Sequence, residues 1–433
     1  MTNRKVYIDY NATTPLKAEV KAAMIEDFDI YGNASSMHGS GRLAHARVEE
    51  ARAAVARLLG ATPTEIIFTS GGSESNNTVF QTIRALAPGQ TENQASAKAE
   101  NQASAPNGKS PNQGRTEIIT STIEHPCVLN SAAYLKSLGF TVHFLPVDEY
   151  GKIKMDVLKN LAGERTLLVS VMMANNEIGT IQNIKEIAAI AKKAGAYVHT
   201  DAVQALGKIP VDVKDLGVDY LTMSAHKIYG PKGIGALYVR KGCPLSPLIH
   251  GGHQEDGLRA GTYNNIGILG FGKAAELALG EVEEYSRKLS VLRDRLREGL
   301  LARIPDIKIN GHPTDVLPNT LNVSFPGAEG ESILLSMDIM GIEVSTGSAC
   351  ASGSLEPSHV LLAIGVGPEL AHGSIRFSLG WGITEPDIDY IIETLPPIIE
   401  RLRAMSTLSP ARTTTSPVQT APSPARTTAG APV

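Results

Sequence analysis

Hydrophobic positions along the chain follow two alternating patterns. Short runs of apolar and β-branched residues are typical of buried strands, and stretches with apolar residues at helical spacing are typical of amphipathic helices. The predicted strands lie at 65–69, 118–122, 141–145, 167–172, 196–200, 220–224 and 235–239. The predicted helices lie at 41–60, 73–86 and 183–195, with a long helical region at 267–303. Strands that alternate with helices predict an α/β fold with a mainly parallel sheet.

Two segments depart from both patterns. Residues 87–115 contain the hexapeptide ENQASA twice and lack large apolar side chains, and the tail 405–433 is rich in Pro, Thr and Ala. Neither segment can bury enough apolar surface to offset the entropy cost of ordering, so both are predicted to be disordered. The first interrupts a folded region and is expected to form a surface loop between a helix and a strand. An arm that docks a partner is the alternative interpretation.

Composition narrows the possible functions. The chain has 433 residues, of which 42% are hydrophobic, and 40 Lys and Arg stand against 44 Asp and Glu. This near balance argues against a nucleic-acid-binding or membrane-surface protein, and no apolar run approaches the ~18 residues of a membrane span. The N-terminus shows no apolar signal segment, so we expect a cytoplasmic protein. The cysteines, Cys127, Cys243 and Cys350, are too few for a disulfide framework and lack metal-site spacing.

Residues that follow the predicted strands are the first candidates for a ligand site, because ligands of open α/β sheets bind beyond the carboxyl ends of the strands. The turn at 70–77, SGGSESNN, precedes a helix, and its small residues suit an anion. An ordinary helix cap is the alternative, and the GK[ST] ending of a Walker A loop is missing. His125 and Asn176 also follow strands, where a structural or turn role is the simpler interpretation.

Two charged residues lie at the ends of apolar strands. Asp201 follows the strand 196–200, where an unpaired carboxylate is costly, and Lys227 follows the strand 220–224. A lysine in this position either forms a salt bridge or is a desolvated amine that can form a Schiff base. An anion cradle, an acid for a pyridinium nitrogen and an amine for an aldehyde together describe a site for pyridoxal phosphate.

Motifs distributed over most of the chain resemble one known family. They are DYNATTP (9–15), GNASSMHGSGR (32–42), FTSGGSES (68–75), NNEIGTIQ (175–182), DAVQALGK (201–208), SAHKIYGPKGIGALYV (224–239), RAGT (259–262), STGSACASGSLEPSHVL (345–361) and RFSLGWGITEPDID (376–389). With them the chain resembles the NifS/IscS group of cysteine desulfurases, of the aminotransferase class V family. Ala34 stands where this group usually has Pro, and Asp256 replaces a frequent Arg.

The resemblance implies a fold-type I pyridoxal-phosphate-dependent transferase. Such a protein has a large domain with a seven-stranded, mainly parallel sheet, joined to a smaller α+β domain. We expect the large domain at 16–262 and the small domain at 1–15 and 263–404, with the catalytic cysteine loop in the small domain. The resemblance also implies a homodimer.

The resemblance assigns roles to individual residues. Those assigned to the cofactor are Gly72, Ser73, His125, Asn176, Asp201, Gln204, Ser224, His226, Lys227 and Thr262. Lys227 would hold it as a Schiff base, Asp201 would pair with its ring nitrogen and Gln204 with its phenolate oxygen. His125 would stack on the ring and shuttle protons, and Thr262 would reach the phosphate from the other subunit. Those assigned to the substrate pocket are Asn33, His38, Asn176 and Arg376, of which Asn176 and Arg376 would bind the carboxylate.

Cys350 identifies the expected reaction. It lies in the Gly-, Ser- and Ala-rich stretch 347–354, a composition that predicts a mobile loop. By resemblance, Cys350 would attack the sulfur of L-cysteine bound to the cofactor, release alanine and keep the sulfur as a persulfide. The persulfide would pass to an acceptor or scaffold protein for iron–sulfur cluster assembly or another sulfur pathway, and Cys350 would contact a cluster only transiently, without a resident metal. Cys127 and Cys243 are expected to be structural.

Three other functions remain open at this stage. A selenocysteine lyase would use the same site, and another class V aminotransferase or lyase would need no thiol at position 350. A scaffold that has lost catalysis would not need to keep Lys227, Asp201, His125 and Cys350. Which acceptor receives the sulfur is not determined by these motifs.

Overall fold

The backbone alternates strands and helices over most of its length. The structure is a computed structural model that describes residues 4–87, 114–346 and 356–405. Its strands are β1 (Val6–Tyr7), β2 (Ile66–Thr69), β3 (Glu117–Ser121), β4 (Thr141–Leu145), β5 (Thr166–Ser170), β6 (Tyr197–Asp201), β7 (Tyr220–Ser224), β8 (Gly235–Val239), β9 (Lys308–Asn310), β10 (Thr320–Ser324), β11 (Ile342–Glu343) and β12 (Ser374–Ser378). Its helices are α1 (Ala18–Glu26), α2 (Gly39–Leu58), α3 (Gly72–Leu86), α4 (Pro126–Ser137), α5 (Met155–Leu161), α6 (Ile184–Lys193), α7 (Val213–Leu216), α8 (Asn265–Arg303), α9 (Gly330–Ile339), α10 (His359–Ala363), α11 (Pro368–His372) and α12 (Glu385–Met405).

A seven-stranded sheet forms the centre of the molecule, in the order β2-β8-β7-β6-β5-β3-β4. The pairings among β3, β4, β5, β6 and β7 are parallel, and β8 runs antiparallel to both of its neighbours. Helices cover both faces of such a sheet, so its strands are apolar on both sides. Leu168 and Val169 on β5 and Ile118 and Ile119 on β3 are fully buried. The predicted fold class is confirmed, and each predicted strand appears within two residues of its expected place.

A second core lies under two small sheets. One is the antiparallel sheet β12-β10-β9, and the other is the parallel pair β1 and β11. Val6 and Ile8 of the N-terminal segment pack in the same core as Phe325 and Phe377. The N-terminal segment therefore belongs to the packing of the C-terminal part of the chain, although the exact domain boundaries stay a prediction.

Helix α8 connects the two cores. It has 39 residues and forms one uninterrupted helix across the region predicted to be helical. Ile268 and Phe271 near its start pack in the core of the large sheet. Leu292 and Leu296 in its second half pack in the core of the small sheets. One continuous helix thus contributes residues to both cores.

Most of the two low-complexity segments, residues 88–113 and 406–433, lie outside the described residues, and so the prediction that they are disordered stays a prediction. Helix α3 ends at Leu86 and β3 begins at Glu117, so the first segment does lie between a helix and a strand, as predicted. Among the described residues, no helix has the length and apolar character that crossing a membrane requires.

Candidate active site

The sheet brings the predicted residues to one edge. Strand β2 is antiparallel to β8, which is antiparallel to β7, so β2 points the same way as the parallel strands. Asp201 is the last residue of β6 and Ser224 the last of β7. His125 follows β3, and Asn176 follows β5. All four therefore lie beyond the carboxyl ends of the strands, the edge where open α/β sheets bind ligands.

Asp201 is buried and partly hydrogen-bonded. Its Oδ2 accepts a hydrogen bond from Asn76 Nδ2 at 2.7 Å, and its Oδ1 accepts one from the Val203 N–H at 2.9 Å. A carboxylate has about four acceptor positions, so Asp201 retains capacity for a further donor. The other amide atom of Asn76, Oδ1, is buried and has no hydrogen-bond partner within the described part of the chain. Helix α3 thus positions Asn76 to hold the carboxylate of Asp201 from one side.

His125 caps helix α4 and is held by Cys127. Its Nδ1 accepts a hydrogen bond from the Cys127 N–H at 3.2 Å and lies 3.0 Å from the Cys127 Sγ. Burial lowers the pKa of His125, although the charge of Asp201 opposes that shift. Burial also raises the pKa of the Cys127 thiol to about 11. His125 is therefore neutral near pH 7, with an acceptor at Nδ1 and its proton on Nε2.

The Lys227 amine lies against the N-terminal segment. Its Nζ donates hydrogen bonds to the backbone oxygens of Asn11 and Ala12. Lys227 ends a short 3-10 helix, and two residues later Tyr229 adopts a left-handed φ of 65°. The Tyr229 N–H donates to Thr14 Oγ1 at 2.9 Å, which ties the turn after Lys227 to the same N-terminal segment. The sequence brings this lysine to a strand end, and the N-terminal segment then holds its amine.

Gln204 and Lys208 extend the same network. Gln204 Nε2 donates to the Asn11 backbone oxygen at 2.9 Å, and Gln204 Oε1 accepts from Lys208 Nζ at 2.8 Å. Lys208 Nζ also donates to Asn11 Oδ1 at 2.9 Å. Lys208 is only 2% exposed, and burial with the nearby positive charges of Lys227 and Arg376 lowers its pKa well below the usual value.

Arg376 approaches the site from the C-terminal part of the chain, on β12. Its Nη2 forms an ion pair with Asp9 Oδ1 at 2.7 Å, and its Nη1 donates to the Asn176 backbone oxygen at 3.1 Å. Its Nε is buried without a hydrogen-bond partner within the described part of the chain. Arg376 is 2% exposed. A buried guanidinium with an unsatisfied N–H is suited to receive a carboxylate.

The predicted phosphate cradle lies at the start of α3. Gly71 precedes this helix with a φ of 155°, which a side chain rarely adopts, and a Cβ there would lie 3.9 Å from Ser224 Oγ. Ser73 is exposed in the first turn. The His226 Nδ1 lies 3.1 Å from Thr13 Oγ1, and burial with the charge of Lys227 lowers the pKa of His226 to about 4. Small residues and helix N–H groups leave room here for an anion.

Three predicted residues lie at the surface instead. Asn33 and Thr262 are exposed, and so is His38. Asn33 Oδ1 accepts from the Ser35 N–H, and His38 Nδ1 accepts from the Gly41 N–H to cap α2. The segment before Thr262 is tied to α3 by the ion pair of Arg259 with Glu74 at 2.9 Å. The structure does not place these three in the buried network, and their predicted roles stay predictions.

Cys350 lies outside the described residues, but both flanks of its segment contact the site. On one side, the Arg376 N–H donates to the Ser345 backbone oxygen at 2.7 Å. On the other side, Ser358 Oγ donates to Glu177 Oε2 at 2.5 Å, next to Asn176. The described ends of the cysteine segment are therefore attached beside the two residues predicted to bind the substrate carboxylate. Among the described residues, no cluster of potential metal ligands is present.

Three residues of this network had no role in the sequence analysis. Asn11 is 1% exposed and binds Lys227, Gln204 and Lys208. Asn76 holds Asp201, and Lys208 holds Gln204. The signals that could have identified them were the position of Asn11 within DYNATTP and the spacing of Lys208 four residues after Gln204. Neither signal is specific without the tertiary contacts.

Comparisons with known proteins agree on one family. The family model for aminotransferase class V matches residues 6–105 and 94–391. A cysteine desulfurase IscS from Dictyoglomus turgidum is 50% identical over 404 residues, which is 93% of this chain and 96% of that protein. A solved NifS-like protein is 40% identical with a TM-score of 0.81, over 92% of this chain and all of that one. A structure of SspA in complex with cysteine is 34% identical with a TM-score of 0.71, over 87% of this chain and 99% of that one.

Proposed function

The chain belongs to the aminotransferase class V family, among its cysteine desulfurases, and on that premise we propose that its buried network binds pyridoxal phosphate and removes sulfur from L-cysteine. The products are L-alanine and a persulfide on Cys350. The observation that carries this proposal is the convergence of Asp201, Gln204, Lys227 and Arg376 at one sheet edge. The complex of the related SspA with cysteine supports the choice of substrate.

The residues present fit the cofactor in three respects. The buried carboxylate of Asp201 retains acceptor capacity for a protonated ring nitrogen. The start of α3 offers N–H groups beside Ser224, at Gly71, whose φ of 155° a side chain rarely adopts. The Lys227 amine lies among backbone oxygens at the same edge. A carboxylate, an amine and an anion cradle are the groups that this cofactor requires.

Pyridoxal phosphate, when bound, supplies an electron-withdrawing ring that stabilises negative charge at the carbon next to an attached amino nitrogen. Lys227 would hold it covalently, and Asp201 would keep its ring nitrogen protonated. Gly72, Ser73, Ser224 and His226 would hold its phosphate, and Thr262 would approach from a second subunit. Asn176 would line the site between cofactor and substrate. These assignments follow the family motifs, and the positions of Asp201, Ser224 and Lys227 at the ends of β6 and β7 support them.

The chain's own residues account for proton movement. Lys227 would also serve as the base that takes the proton from the substrate α-carbon. His125 is neutral near pH 7, because burial lowers its pKa, and it carries its proton on Nε2 because Cys127 occupies Nδ1. His125 would then donate or accept a proton beside the bound cofactor. Cys127 keeps its own proton, since burial raises the pKa of its thiol to about 11.

Substrate orientation and sulfur transfer involve the C-terminal part of the chain. Arg376, with Asn176, binds the carboxylate of cysteine, and Asn33 and His38 line the outer pocket. The Cys350 thiolate attacks the substrate sulfur, the substrate carbon–sulfur bond breaks, and its electron pair is left on carbon and then protonated to give alanine. Sulfur remains on Cys350 as a persulfide for an acceptor protein, in iron–sulfur cluster assembly or another sulfur pathway. The reducing cytosol is the compartment that we propose.

A second subunit completes this proposal. Large apolar side chains near Asn33 and His38 are exposed, among them Phe28 at 63%, Tyr31 at 84% and Met37 at 91%. Apolar residues that cluster at a surface are typical of interfaces. A homodimer that buries them would bring Thr262 of one subunit toward the cofactor of the other.

The test is turnover of L-cysteine by the purified protein in the presence of a reductant. We expect a visible absorption band from bound cofactor and equal amounts of sulfide and alanine. Cys350→Ala should keep the band and lose sulfide formation, whereas Cys243→Ala, which removes a half-buried thiol, should behave as the native protein. A protein without the band would refute the cofactor assignment, and sulfide formation by Cys350→Ala at the native rate would refute the nucleophile.

A further inference from the structure

Lys208 is a buried amine for which the proposed reaction has no use. It lies four residues after Gln204, in the turns that follow β6. Its side chain is among the largest fully buried ones of the described residues, yet it forms no ion pair within that part of the chain. Its two hydrogen bonds go to uncharged amide oxygens, Asn11 Oδ1 at 2.9 Å and Gln204 Oε1 at 2.8 Å. Burying a lysine amine is costly, so its retention calls for a role.

The direction of these bonds has a consequence for Gln204. A carboxamide can turn by 180° and exchange its oxygen and its NH2 group with little change in shape. An amine that donates to one end of the amide makes that end the oxygen. The Gln204 NH2 group must then point the other way, where one hydrogen goes to the Asn11 backbone oxygen at 2.9 Å. The second hydrogen is left as a donor for a bound ligand.

We propose that Lys208 is a positioning residue, which locks the Gln204 carboxamide so that it presents an N–H, and not an oxygen, to the phenolate oxygen of the cofactor. This inference rests on the proposed function, because it needs that cofactor in the site. The same amine fixes Asn11, whose backbone oxygen accepts from Lys227 Nζ. Lys208 therefore contacts both Gln204 and Asn11, and Asn11 in turn contacts Lys227.

The locked orientation has a spectroscopic signature. A hydrogen bond donated to the phenolate stabilises its negative charge and makes it less basic. Without that bond, the proton shared between the cofactor and its attached nitrogen is held more tightly. The pH at which the visible band of the loaded enzyme titrates should then rise. A structural role of Lys208 alone would lower the melting temperature without moving this midpoint.

The experiment compares Lys208→Met with Gln204→Ala and the double variant, all loaded with cofactor. We expect each single variant to raise the midpoint by about one pH unit, the size of a charge-assisted hydrogen bond. The double variant should shift no further than Gln204→Ala, because both changes remove one interaction. Lys17→Met is the matched control: Lys17 pairs with Glu281 and makes no hydrogen bond in this network, so its midpoint should equal the native one. An unshifted midpoint in folded Lys208→Met, or additive shifts in the double variant, would overturn the proposal.

A second measurement needs no variant. Neutron diffraction from the loaded native protein locates the hydrogens of Gln204 and Lys208 directly. The proposal requires the Gln204 NH2 group on the cofactor side and its oxygen toward Lys208, and the reverse arrangement overturns it. A native protein that binds no cofactor at all would instead refute the proposed function, so the two failures are distinguishable.

Discussion

The predicted site residues divide into a buried group and an exposed group. Asp201, Gln204 and Arg376 are 6%, 5% and 2% exposed, and they are joined to partners far away in the sequence. Asn33 and His38 are exposed, and their side chains accept hydrogen bonds from residues two and three positions away. One side of the site is thus completed by this chain's own packing. The exposed group faces solvent in the single chain, and the second subunit that we propose would cover it.

The largest effect should come from the buried group. Lys227→Ala removes the amine proposed both to hold the cofactor and to move the substrate proton. We expect loss of the native absorption band and a fall in sulfide formation of about 10⁴-fold or more. Lys232→Ala, an exposed lysine in the same motif, should keep both properties. A native band in Lys227→Ala would mean that another lysine holds the cofactor.

A smaller effect should follow from Arg376→Lys. Lysine keeps the charge but loses the planar fork that reaches Asp9, the Asn176 backbone oxygen and a carboxylate at once. We expect KM for L-cysteine to rise about 10- to 100-fold, the cost of one or two charge-assisted hydrogen bonds, with an unchanged cofactor band. Arg401→Lys, on the exposed side of α12, is the control. An unchanged KM with a lowered melting temperature would limit Arg376 to a structural role.

For the exposed group we expect a change of about tenfold in cofactor affinity. Thr262→Ala should weaken cofactor binding roughly tenfold, the effect of one lost hydrogen bond to a charged group. A mixed dimer pairs one Thr262→Ala subunit with one Lys227→Ala subunit. If Thr262 serves the partner's site, one of the two sites in this dimer then has both an intact Lys227 and an intact Thr262. Those dimers should recover native affinity at half of their sites, measured by titration of the absorption band. If mixing restores nothing, Thr262 acts within its own subunit and the contrast between the two groups loses its explanation.

The smallest effect is on the pH dependence of folding stability, and it concerns Glu124 in the buried part of the site. Burial raises the pKa of Glu124, beside His125, to about 8. The unfolded chain would lose this proton near pH 4.3, so the folded state binds more protons between about pH 4 and pH 8, and stability falls as pH rises through that range. Glu124→Gln should remove about 3–4 kcal/mol of this decline between pH 5 and pH 8, a change of a few degrees in melting temperature. Glu149→Gln, an exposed carboxylate, should follow the native curve; if Glu124→Gln does so as well, Glu124 is ionised in the fold.

The positions of the strand-end residues could be predicted because the local hydrophobic pattern shows where each strand ends. A buried strand has a readable apolar run, and the carboxyl ends of parallel strands meet at one edge. The strand ends before Asp201 and Lys227 therefore placed both residues near one ligand before any contact was known. The motifs around them identified the family, which the comparisons show.

Other features depended on contacts that no local pattern encodes. Asn11 meets Lys227 and Lys208 across about two hundred residues of chain, because the N-terminal segment packs into the core of the C-terminal sheets. The lowered pKa values of His125 and Lys208 arise from desolvation, which depends on everything packed around the two side chains. Sequence alone determined which reactive residues follow which strands and the family to which the chain belongs. Only the tertiary structure decided which groups are buried and which polar atoms lie within hydrogen-bonding distance of one another, because both are properties of neighbours in space.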